Sequence, residues 1–328
     1  MLEELTKLYD AYVDTYREAD GELSPMMRLK RIHTDFVVRN AELIAEGEGF
    51  LPEAREVSLA AALLHDTGRY EQLRRYNTFR DADSVDHAVF SHDIVVEKGW
   101  LDEVERSGVG VGVGVGGDGG VGGGVGVGVG GGVGVGGGVG GGGGVGGGGG
   151  GGVGGGGGVG GGGQWKDAIL KAVLYHNRRD LPEEIENPPH TTSTSTYTSS
   201  LRLTSLAAHT VRDADKLDIF RVLEERLSHA DWRTDTRAFW NLAVNALPNP
   251  VVVANIENGQ PVDYQNIQSL SDFVLIQVGW MISGLHFATA RRLCRERNHL
   301  AFRRKFLHQL TDSPAIDRVC DIAERVLV

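Results

Sequence analysis

Cysteine is scarce in this sequence. Cys294 and Cys320 are the only two, and their separation suits neither a metal pair nor a redox pair. Basic charge is also in deficit: 33 Lys and Arg against 44 Asp and Glu give a net charge of −11. That excludes a broad phosphate-binding face of the kind nucleic acid requires, but leaves room for a small phosphorylated molecule held by a few arginines. No apolar run approaches the ~18 residues of a membrane span, and no signal peptide is recognisable. The chain therefore reads as soluble and cytoplasmic, with neither membrane nor nucleic acid as a partner. Strand patterns are nearly missing too; only "NPVVVANIENGQPVDY" has a β flavour, and it also reads as a connection.

Glycine is the exception to this economy. Most of the 49 glycines lie between Gly108 and Gly163, where the sequence is almost only Gly and Val with Asp118 as the lone interruption. The tract has no Gly-X-Y period and no Lys/Ser/Thr pattern able to cradle phosphate, which excludes collagen and P-loop readings. Glycine loses the most entropy on ordering, so the expectation is a disordered insert. Lengthening a short loop about eightfold costs only roughly 2 kcal/mol, so a helical domain can carry it. The expected organisation is 1–107 as the N-terminal part of one domain, 108–163 as the insert, and 164–328 as the remainder with a C-terminal helical extension. A second loop is expected at the Thr/Ser-rich "HTTSTSTYTSS", residues 190–200.

Elsewhere the periodicity is helical. Leu29, Ile32, Val37 and Ile44 form one stripe, with Pro25 near its start and Gly47 past its end; Val57, Ala61 and Leu64 form another. Further helices are expected in "SVDHAVFSHDIVVEKG", "QWKDAILKAVLYHN", "LTSLAAHTVRDADKLDIFRVLEERL" and the C-terminal third. The fold class is all-α.

Against this apolar background, His33, His65, Asp66, His87, His176 and Asp213 each place a metal-competent side chain on or beside an apolar stripe. At about 100° of rotation per residue, His87 falls in line with Ser91, Ile94 and Val95, whereas His92 is turned about 140° away. The same test puts Asp213 among Leu206, Leu217 and Phe220 and turns Asp215 and Asp218 aside. Any one such residue is commonly a satisfied core histidine or a capping carboxylate. Six spread over five helices favour a metal cluster, because each unsatisfied group would be a separate penalty. Neutral imidazoles suit divalent transition metals, and carboxylates add charge and can bridge two ions. Such a pair of ions activates water and clamps a phosphoryl group in an in-line displacement. His65 and Asp66 close an apolar helix, where Gly68 is expected to let the chain turn away. Of the nearby basic residues, Arg69, Arg178 and Lys216 lie within a helical turn of a proposed ligand and are the candidates for holding phosphate.

The ordered series His33, His65-Asp66 and Asp213, with the phrases "HDTGRYEQLRRYNTFRDADSVDHA", "YHNRRDLP" and "VRDADKLDIFRVL", resembles the HD superfamily of metal-dependent phosphohydrolases. The resemblance covers most of the chain outside the Gly/Val tract. It implies an HD-domain helical bundle with additional C-terminal helices, in which His33, His65, Asp66 and Asp213 are metal ligands. His87 and His176 fall where two-metal members carry further ligands, which implies that Asp66 bridges two ions. The implied cofactor is one or two divalent ions among Mn, Fe, Co, Ni, Zn and Mg. The implied activity is hydrolysis of a nucleotide or another small phosphoester, with Asp66, Arg69 and Lys216 as catalytic residues and Arg69, Arg178 and Lys216 binding substrate. The lysine that cyclic-dinucleotide phosphodiesterases of the superfamily carry after His-Asp-x-Gly is Arg69 here, and "DLP" at 180–182 stands in place of their Gly-Tyr-Pro, which points away from cyclic-di-GMP. A non-catalytic nucleotide sensor on the same scaffold is the alternative expectation.

Overall fold

The computed structural model describes residues 1–108, 163–189, 196–228 and 242–328. The Gly/Val tract from 109 to 162, for which disorder is expected, lies outside the described residues, as does the stretch 190–195. The architecture is all-α, and the described residues contain no β-strand beyond an isolated bridge between Ala243 and Ser269.

In the first half the helices are α1 (Leu2–Asp14), α2 (Pro25–Gly47), α3 (Pro52–Leu64), α4 (Gly68–Tyr76), α5 (His87–Lys98) and α6 (Trp100–Arg106). After the tract come α7 (Gly163–Tyr175), α8 (Glu183–Glu186) and α9 (Thr196–Ser228). The last group is α10 (Pro250–Glu257), α11 (Leu270–Ser283), α12 (Ala288–Glu296), α13 (His299–Leu310) and α14 (Pro314–Leu327).

Local signals explain several boundaries. Ser24 caps α2 by accepting from the Met27 amide, and Pro25 supplies a pre-set φ for the first turn. Asp86 caps α5 by accepting from the amides of Ala88 and Val89. Asn249 and Pro250 do the same for α10, so the valines at 251–253 are helical rather than extended; a cap and tertiary packing outweigh the modest β preference of valine. The Thr/Ser loop is shorter than its composition suggests, because residues 196–200 open α9.

The longest of these helices, α9, packs against α2, α3 and α7 and also meets α8, α12 and α13. It has apolar residues around much of its circumference, with Ala207, Val211, Ala214, Leu217 and Phe220 all buried. Helix α3 is buried from Val57 to Leu64; its run of alanines at 60–62 permits close approach by α2, α7 and α9. Arg303 of α13, fully buried, donates to Glu224 and Gln277 and to the carbonyl of Phe220, fastening the C-terminal helices to α9. Across the Gly/Val tract, Lys166 of α7 pairs with Asp102 at 2.7 Å and also with Glu105, both on α6. The helices that flank the tract are therefore in direct contact.

Candidate metal centre

Five of the six expected ligands converge where the ends of α3 and α7 and the start of α5 meet α2 and α9. His65 and Asp66 lie in the turn between α3 and α4, and His176 directly follows α7. All five are buried. On one side, Asp66 Oδ2 lies 3.6 Å from Nε2 of both His33 and His65, and those two nitrogens are 3.4 Å apart. On the other, Asp66 Oδ1 lies 3.7 Å from His87 Nε2 and 4.0 Å from His176 Nε2, which are 3.0 Å from each other. The two oxygens of one carboxylate thus face two separate histidine pairs.

The sixth member is Asp215, not Asp213. Asp215 Oδ1 is 3.1 Å from His33 Nε2 and 4.0 Å from His65 Nε2. Asp213 points elsewhere: both its oxygens accept from the His286 amide, at 3.0 and 2.9 Å, and Oδ2 also accepts from the Phe287 amide at 2.9 Å. Burial picked out Asp213 because α9 is covered on several sides, so an apolar stripe marks one of its buried faces and not the face that meets the histidines. Asp218, also turned aside by the stripe argument, is buried and accepts from His33 Nδ1 at 2.6 Å. An i, i+3 pair of aspartates on α9 therefore grips both nitrogens of one imidazole. That acidic spacing was the available sequence signal.

The histidine tautomers follow from what their Nδ1 atoms touch. His65 and His176 each place Nδ1 2.7 Å from a carbonyl oxygen, of Ala62 and Val173. Carbonyls only accept, so Nδ1 carries the proton and Nε2 presents a lone pair. His33 and His87 direct Nδ1 to the carboxylates of Asp218 and Asp81, the latter at 2.5 Å. Such partners orient an imidazole and raise its basicity towards a metal.

The spacing fits cations as well. Donors about 2.1 Å from one ion lie about 3.0 Å apart at a right angle and about 3.4 Å apart at the tetrahedral angle, and the close contacts of both histidine pairs fall in that range. Two groups, His33 with His65 and Asp66, and Asp66 with His87 and His176, can each hold a metal ion.

Electrostatics agree with a site built for positive charge. Burial opposes ionisation of Asp66, but Lys30, His65, Arg69 and His87 hold its carboxyl well below the usual range. Burial likewise opposes charge on Asp215, yet His33, His65 and His176 keep its carboxyl low. Burial pushes the imidazoles of His65 and His176 down, which keeps them neutral and available as donors. Lys30, which sequence reasoning passed over, places Nζ 2.7 Å from Asp66 Oδ2. It sits one turn before His33 on α2, so the i, i+3 relation to a candidate ligand was again the usable signal.

The proposed phosphate ligands are less uniform. Arg69 Nε approaches Asp66 Oδ1 at 3.3 Å, while Nη1 donates to Asp81, Gln72 and the Phe79 carbonyl. Arg178 pairs with Asp86 at 3.1 Å, beside His87, and is substantially exposed. Lys216 donates to the Arg212 carbonyl at 3.1 Å, and burial with Arg212 nearby pushes its ammonium down to about 8. His92 pairs with its neighbour Asp93, away from the cluster.

Gly68 has a different role from the expected turn. It opens α4, and a Cβ there would lie 2.7 Å from the Ser91 amide nitrogen and 3.0 Å from the His87 carbonyl. Its own amide donates to Ser91 Oγ at 2.9 Å. The missing side chain lets α4 touch α5, which brings Asp66 to His87.

No protein-family model, curated protein or solved structure matches the chain.

Proposed function

We propose that this protein is a metal-dependent phosphohydrolase of the HD superfamily, acting on a nucleotide or another small phosphoester. The observation that carries the reading is Asp66, whose Oδ2 faces His33 and His65 while Oδ1 faces His87 and His176. Asp66 would bridge two divalent ions, one completed by His33, His65 and Asp215, the other by His87 and His176. When bound, such ions supply an activated water and stabilise the negative charge that develops on a phosphoryl group.

The chain's own residues have defined tasks in this scheme. Asp218 and Asp81 hold the rings of His33 and His87 in place through Nδ1. Arg69 steadies Asp66 and Asp81 together. Lys30, whose Nζ lies 2.7 Å from Asp66 Oδ2, would place a positive charge beside the centre where a phosphate oxygen could be held. Lys216, next to Asp215 on α9, and Arg178, paired with Asp86 beside His87, would add further positive charge.

The test is elemental analysis of the purified full-length protein, followed by a phosphoester panel with Mn, Fe, Co, Ni, Zn and Mg. Asp66→Ala is expected to remove turnover and the metal held by His33, His65, His87 and His176 while the far-UV circular dichroism is unchanged. Full turnover by an Asp66→Ala protein that has lost the metal of this centre would overturn the reading.

A further inference from the structure

A second group of metal-competent side chains lies apart from the Asp66 centre, and nothing above uses it. Glu186 ends α8, His209 lies in the first half of α9, and His286 sits in the turn between α11 and α12. One donor atom from each lies within 4.8 Å of the others. His209 is only 5% exposed, and its Nε2 has no hydrogen-bond partner among the described residues. A buried imidazole nitrogen without a partner is costly, since burial removes water and supplies nothing in return. The nearest charged oxygen to it, Glu186 Oε2, is 3.9 Å away, too far for a hydrogen bond and wider than the about 3.4 Å of a tetrahedral donor pair, a gap that the exposed Glu186 side chain can close by rotation.

The chemistry of the trio is selective. Two imidazoles and one carboxylate suit zinc or cobalt(II) and leave a fourth position for water. The His209 and His286 rings are stacked, with centroids 3.6 Å apart and planes 15° from parallel. Two protonated rings would repel at that distance, and burial with His286 alongside pushes the His209 imidazole down to about 3. A metal lies in the plane of each imidazole that binds it, so one ring must tilt to share an ion. His286 is exposed and can do so, while its backbone is fixed by Asp213.

We infer that Glu186, His209 and His286 form a further divalent-metal site, of the zinc or cobalt(II) type, that clips the α8 segment and the α11–α12 turn to α9. The site is independent of the Asp66 centre, because no ligand is shared.

Zinc titration of the metal-stripped full-length protein tests this directly. His286→Gln is expected to lower the number of tightly bound zinc ions by one per chain, and Glu186→Gln to do the same; both residues are exposed, and a circular dichroism melt checks folding. In a chain carrying His65→Ala and His87→Ala, one equivalent should persist, should give a cobalt(II) d–d absorption, and should vanish when His286→Gln is added. If the Asp66 centre binds no metal, wild type would still take one zinc that His286→Gln removes, so the two readings fail separately. Equal zinc stoichiometry with and without His286→Gln overturns the inference.

Discussion

Asp215 Oδ1 lies 3.1 Å from Nε2 of His33, while Asp218, one turn further along the same helix, takes the other nitrogen of that ring at 2.6 Å. The imidazole is held at both ends by α9, so the position of α2 against α9 and the geometry of the centre are set together. Two residues earlier, Asp213 is directed to the turn that begins α12.

Asp213 and Asp215 should therefore fail in different ways. Asp215→Asn is expected to lower metal content with little change in melting. Asp213→Asn removes a charged acceptor from the buried Phe287 amide and the part-buried His286 amide and should cost about 1–3 kcal/mol in a urea melt, with metal content retained. Metal loss from Asp213→Asn in a fully folded sample would contradict the assignment.

Shortening the Gly/Val tract should leave the fold intact, because Lys166 already joins α7 to α6 through Asp102 and Glu105. Replacing residues 109–162 by a short Gly/Ser linker is expected to raise stability by up to about 2 kcal/mol through reduced loop entropy. Metal stoichiometry should be unchanged. A shortened protein that melts without cooperativity would show that the tract has a structural role.

His209 makes stability pH-dependent in the metal-free protein. Burial, with His286, Arg212 and Lys216 nearby, pushes its imidazole down to about 3 in the folded protein, against an ordinary value of 6.5. Between those values the unfolded chain binds a proton that the folded one refuses, so stability rises with pH across the window and is lost as pH falls through it. The contribution is about 1.4 kcal/mol per pH unit at most. Chelator-treated wild type should show a steeper loss of stability from pH 6.5 downward than His209→Gln, measured by urea melts at several pH values. Identical slopes would remove this assignment.

Cys294 and Cys320 are both buried, and burial pushes each thiol up to about 12. The thiolate is the reactive form. Both should resist alkylation at pH 8 and react only as the protein unfolds, with equal rates for the two sites; fast labelling of either in native buffer would show local opening of α12 or α14.

Gly68→Ala inserts a methyl group against the α5 backbone, 2.7 Å from the Ser91 nitrogen. Backbone cannot yield as a flexible side chain does, so a loss of about 1–3 kcal/mol is expected. Because the same contact sets the distance from Asp66 to His87, metal affinity should fall alongside the melting midpoint. A melt and metal titration indistinguishable from wild type would count against the close-contact role.

The helical class, the start of α2 at Pro25 and five of the side chains that converge on the centre were legible in the amino-acid sequence. Each rests on local chemistry: an apolar period near 3.6, a proline at the first helical turn, or a ligand-type side chain set on or beside an apolar stripe. The valines at 251–253 were harder to read, because three β-branched residues carry a strand preference that a proline-led, asparagine-capped helix overrides.

The choice between Asp213, Asp215 and Asp218 could not be made from periodicity, and neither could the pairing of His209 with His286. Periodicity identifies a buried face only when a helix has one, and α9 is enclosed on several sides. Which neighbour meets which face depends on where α2, α7 and the α11–α12 turn pack, and those contacts join residues far apart in the chain. The sequence by itself determined that ligand-type side chains would be carried on helices. Only the tertiary structure decided that Asp215 reaches His33, that Gly68 serves a close approach, and that Glu186, His209 and His286 come together.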